Sequence, residues 1–83
     1  MNPTRRTTYC AWLASQLRIE ADLWSGAKRS ELRHQAVVMA YEARCRDSEP
    51  EQTQKVIRLS VDLLVVAMSL RAFTYFDPTG ELK

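Results

Sequence analysis

Apolar residues between Val56 and Phe76 recur at intervals of three and four, the period of an α-helix. Ile57, Val61, Leu64 and Met68 make one line; Val56, Leu59, Leu63, Val66 and Leu70 make a second. The polar strip through Glu51, Lys55, Arg58, Asp62 and Ser69 takes what is left of the circumference. Within it, Glu51 with Lys55 and Arg58 with Asp62 are opposite charges four apart, as on a solvated face. A helix in an isolated three-helix bundle needs one wide apolar stripe. Two lines therefore predict two contacts, one with the chain's own helices and one with another surface. The aromatic run at Phe73, Tyr75 and Phe76 is a candidate interaction hot spot, because large aromatics dominate interface energetics. Val56, Leu59, Leu63, Val66, Leu70, Phe73, Tyr75 and Phe76 are thus the candidate dimer or partner interface.

Two shorter amphipathic segments precede this one. The first gathers Tyr9, Trp12, Leu13, Leu17, Ile19, Leu23 and Trp24 on one broad side, with Ser15, Arg18 and Asp22 opposite. Gln16 and Glu20 fall inside that apolar arc and are expected at its wet edge, because an unpaired buried polar group is costly. The second segment has a narrow stripe of Leu32, Ala36, Met39, Ala40 and Ala43, and a separate set of Val37, Val38, Tyr41 and Cys45.

Boundary residues place the three helices at about 3–24, 28–46 and 49–76. Asn2 followed by Pro3 suits an N-cap and first helical position, and Ser25-Gly26 suits a helix stop. Ser25 and Ser30 are both candidates to cap the second helix. Ser48-Glu49-Pro50-Glu51 has capping-box spacing, and Asp77-Pro78-Thr79-Gly80 should end the third helix. The predicted fold is all-α: one domain over 1–83, a three-helix bundle with an antiparallel hairpin of helices two and three, assembled as a homodimer. The short connection between those helices dictates the hairpin.

Composition narrows the function classes. A chain of 83 residues sits near the lower end of what folds alone, so self-association would help it. The hydrophobic share of 46%, with only 2 glycines and 3 prolines, excludes disorder and a loop-rich β fold. Arg58, Asp62 and Arg71 argue against a membrane span for the third helix, each central charge costing about 2.5–3.5 kcal/mol. Two cysteines, Cys10 and Cys45, are too few for a disulfide framework. Free thiols are the expected state, with a bridge between the first two helices as the alternative. No secretory pattern accompanies them, and the expected compartment is the cytoplasm.

No constellation for catalysis emerges. His34 is the sole histidine, and its sequence neighbours supply no carboxylate to orient it beyond Glu31. Cys10, Cys45 and His34 lack structural-zinc spacing, and there is no glycine-rich phosphate loop. No enzyme activity, cofactor or metal is expected.

A net charge of +2 is too small for a chain whose affinity must come from many phosphates. Arg29, Arg33 and Arg44 nevertheless form a candidate basic patch on the second helix, near Arg5, Arg6 and Lys28. A helix-turn-helix would have shorter helices and a tighter turn, so a nucleic-acid-binding regulator is the runner-up. The primary expectation is a non-enzymatic protein–protein interaction module that dimerises and occludes or bridges a protein partner. Arginine- and alanine-rich, lysine-poor composition resembles that of proteins from high-GC bacteria, their phages and plasmids. Small inhibitors and adaptors are common there.

Overall fold

The computed structural model describes residues 3–45 and 49–74, and within them the side chains of 6–45 and 49–73. The described residues are all-helical: α1 (Pro3–Ala21), α2 (Gly26–Arg44) and α3 (Pro50–Thr74). α1 and α2 have 19 residues each and α3 has 25. α1 packs chiefly against α2, and α3 lies across both. Among the described residues no helix is long and apolar enough to cross a membrane.

The helix ends differ from the sequence expectation for local reasons. α1 closes at Ala21, three residues before Trp24, because the backbone tightens there. The Leu23 N–H donates to the Glu20 carbonyl at 3.0 Å and the Trp24 N–H to the Ala21 carbonyl at 3.1 Å. These three-residue steps use up carbonyls that α1 leaves free. Gly26 then turns the chain with φ +64, a left-handed conformation that glycine adopts without a Cβ penalty. Ser25 stands at the N-cap with extended backbone, but its side chain makes no capping hydrogen bond. α2 thus starts two residues earlier than 28, and Lys28 in its first turn is offset by Glu31 at 3.5 Å. At the far end the Cys45 N–H donates to the Tyr41 and Glu42 carbonyls. Thr53 N–H donates to the Glu49 carbonyl in the first turn of α3, where Glu51 also complements the positive helix end. The capping partner expected at Ser48 and the stop at 77–80 lie outside the described residues.

One cluster forms the core: Cys10, Leu13, Ala14, Leu17, Ala21 and Trp24 from α1 and its turn, Leu32, Ala36 and Met39 from α2, and Ile57, Leu64 and Ala67 from α3. Of the broad apolar side expected for the first helix, Leu13, Leu17 and Trp24 point inward while Trp12, Ile19 and Leu23 remain exposed. The alanine-rich stripe of α2 enters the core as expected, with Ala40 and Ala43 half-buried against it.

Candidate interaction surface

α3 turns a mixed polar and apolar line inward and keeps its charged strip through Glu51, Lys55, Arg58 and Asp62 in solvent. Its buried positions are Thr53, Ile57, Ser60, Leu64 and Ala67, and Arg71 continues the same line half-buried. Steps of four and three residues keep these six on one face. Hydroxyls and a guanidinium thus alternate with apolar side chains where α3 meets the rest of the chain. Each is satisfied by a side chain from the other helices. Gln35 Nε2 donates to Ser60 Oγ at 2.7 Å, and Thr53 Oγ1 donates to Glu42 Oε1 at 3.1 Å.

The third polar contact is the strongest. Glu20, expected at the wet edge of α1, is only 4% exposed. Arg71 meets it with two parallel donors, Nε to Oε2 at 2.8 Å and Nη2 to Oε1 at 3.1 Å. Trp24 Nε1, one helical turn on, donates to Oε2 at 3.0 Å. A carboxylate can enter the interior when its lone pairs are taken in this way. The Glu20 hydrogen bond raises the Arg71 pKa above its already high ordinary value, so the guanidinium stays charged.

An apolar seam also faces solvent. Val56, Leu59, Leu63, Val66, Leu70 and Phe73 are all apolar, and they follow one another at intervals of three and four. Leu59 is 59% exposed, Val66 49%, Leu70 42% and Phe73 71%. Val56 and Leu63 are half-buried at the edge of the core. Of the eight candidate interface residues, four are exposed along one seam of α3 and two more, Val56 and Leu63, are half-buried within it. The other two, Tyr75 and Phe76, lie outside the described residues. On the other flank of the buried line Val65 and Met68 are also exposed, beside half-buried Val61. Of the first apolar line, then, Ile57 and Leu64 serve the core while Met68 does not.

A second exposed apolar line, on α1 and the turn after it, consists of Trp12, Ile19 and Leu23. Tyr9 stacks on Trp12 with ring centroids 5.9 Å apart. Sequence periodicity assigned these residues to one broad face together with the core. Their separation into buried and exposed halves depends on where α3 docks, which periodicity does not encode.

The candidate basic residues are distributed along α2. Arg29 and Arg33 both approach Asp22, at 3.6 and 3.4 Å. Asp22 thereby offsets part of their charge. Arg44 lies in the last turn of α2, about 16 Å along the axis from Arg33 at 1.5 Å per residue. Arg18 and Arg33 line a shallow surface groove with Ala36 and Val37.

Cys10 is buried and Cys45 half-buried, and both are free thiols. Burial, reinforced by the charge of Glu42 and opposed by Arg6, pushes the Cys10 thiol pKa up. His34 is exposed on α2. No protein-family model, curated protein or solved structure matches this chain.

Proposed function

We propose that this chain is a non-enzymatic protein–protein interaction module, a homodimeric helical bundle that occludes or bridges a protein partner. The observation carrying this reading is the apolar seam that α3 leaves exposed beside its buried line. Its own fold receives Thr53, Ser60 and Arg71, while Leu59, Val66, Leu70 and Phe73 are offered to solvent. A contiguous exposed apolar surface marks an interaction site, and large aromatics dominate the energetics of such sites. The antiparallel hairpin of α2 and α3 draws support from two side-chain pairs, Gln35–Ser60 and Glu42–Thr53, in which α2 advances as α3 retreats. The seam on α3 suits a second copy. The line of Trp12, Ile19 and Leu23 along α1 and its following turn leaves a separate surface for a different protein, as an inhibitor or adaptor of phage or plasmid type needs. Free Cys10 and Cys45 suit a reducing compartment such as the cytoplasm.

The nucleic-acid reading is weaker because Arg29 and Arg33 share Asp22 and Arg44 stands apart from them. The test combines light scattering at micromolar concentration with affinity capture from the source cells. A dimer mass, and a captured protein lost on Ile19→Asp with helical content unchanged, are the expected results. A monomer that captures nothing overturns the proposal. Salt-sensitive binding of a labelled duplex, lost when Arg29, Arg33 and Arg44 become alanine, would establish the regulator instead.

A further inference from the structure

The proposed self-association can be given a geometry. We infer that a second copy docks antiparallel along α3, with Val56 opposite Phe73, Leu59 opposite Leu70 and Leu63 opposite Val66 of the second copy. This rests on the reading of the chain as a self-associating module, and it adds the direction and register of the pairing.

Three features of the seam select this arrangement. Its intervals are three, four, three, four and three, the spacing that keeps a helical seam facing a partner over successive turns. That series reads the same in both directions, so a two-fold axis perpendicular to α3, between residues 64 and 65, superimposes every layer on its counterpart. The layers are also matched in volume. Small Val56 meets large Phe73, and leucine meets leucine or valine elsewhere, as close packing requires. A parallel pair would stack Phe73 on Phe73 at one end and Val56 on Val56 at the other. Opposed helix directions also align the two macrodipoles favourably.

The borders of the seam are compatible with this approach. Toward the body of the molecule lie Ser60 and Ala67, which are buried and short. On the solvent side lie Lys55, Asp62 and Ser69, and the register sets Asp62 beside Ser69 instead of a second carboxylate. From Val56 to Phe73 the seam runs for about 26 Å at 1.5 Å per residue. With the exposed parts of all six side chains covered, two copies bury up to about 1,000 Å², the lower bound of a specific interface.

Disulfide trapping tests the geometry. In a Cys45→Ser background, buried Cys10 stays out of reach of mild oxidant. Val56→Cys/Phe73→Cys is then expected to form a covalent dimer whose linked peptides join position 56 of one copy to 73 of the other. The same two positions are too far apart on one helix to bridge within a chain. Val56→Cys alone is expected to give no covalent dimer. Trapping through position 56 alone, or a dimer mass with no trapping from either variant, overturns the antiparallel register but leaves self-association standing. A monomer mass for the unsubstituted chain at tens of micromolar overturns the self-association itself. Leu59→Glu provides a second measure without cysteine chemistry: dimer affinity should fall at least tenfold while the helical circular dichroism of the monomer is kept. Unchanged dimer affinity in that variant also overturns the register.

Discussion

Glu20 and Arg71 are joined by two hydrogen bonds but differ in what each can do once the other is gone. The Arg71 side chain is 35% exposed and that of Glu20 only 5%, so the guanidinium has water within reach and the carboxylate does not. Arg71→Leu should therefore cost more, about 3 kcal/mol, because it leaves a buried anion with Trp24 as its remaining donor. Glu20→Gln keeps one acceptor oxygen for Arg71 Nε and Trp24 Nε1 but removes the charge and sets an amide donor against Arg71 Nη2, and should cost about 1–2 kcal/mol. Glu20→Leu/Arg71→Leu should cost less than Arg71→Leu alone, since no uncompensated charge is left. Urea unfolding of the three variants measures this ordering, and equal losses would show that the pair is not acting as a buried charge contact. The interior place of Glu20 was legible in part, because its position falls within the apolar arc of α1. Its partner was not, since Arg71 is 51 residues away and only the docking of α3 brings them together.

Cys10 adds a dependence on pH. Burial raises its thiol pKa in the folded chain, so above about pH 8.5, the ordinary thiol value, the unfolded chain loses a proton that the folded chain keeps. The unfolded state then binds fewer protons, and stability falls as pH rises. Cys10→Ala should flatten the stability profile above about pH 8.5, as read by urea midpoints, even though the lost sulfur lowers stability throughout. Native Cys10 should also resist alkylation that half-buried Cys45 undergoes.

At the scale of the elements, helix number and order were readable from period and punctuation, whereas the ends were set by geometry that propensity does not contain. Trp24 looks like a continuation of α1 by periodicity, and it does reach the core at 2% exposure. It gets there through a tightened turn instead of a last helical turn. Gly26 was readable as a stop because its conformation suits glycine above other residues. Nothing lies within 4 Å of a Cβ built on it, so Gly26→Ala meets no steric obstacle from the surroundings. Its cost should come from the backbone alone, about 1 kcal/mol, with Gly26→Asn milder. Thermal unfolding compares the two, and an Ala variant as stable as the parent would remove the left-handed requirement. The two apolar lines of α3 were both visible in sequence. Which of them faces inward was less so, because the inward face also uses Thr53, Ser60 and Arg71, residues that by polarity belong outside.

For the whole molecule, the relevant contrast is between a well-packed pair, α1 with α2, and a third helix attached through hydroxyls, one ion pair and a few apolar side chains. Local opening free energies vary across a fold with the amount of apolar contact each part makes. The amides of α3 should therefore exchange with deuterium sooner than those of the α1–α2 core around Leu17 and Leu32. If a second copy covers the seam, ligand linkage applies, and protection in α3 should rise with total protein concentration while the core amides stay constant. Exchange followed by mass spectrometry over a hundredfold concentration range checks both expectations, and concentration-independent rates in α3 would separate its opening from assembly. The thin attachment of α3 thus has a thermodynamic meaning: with a second copy covering its seam, dilution would act as a denaturant for one helix and leave the other two untouched.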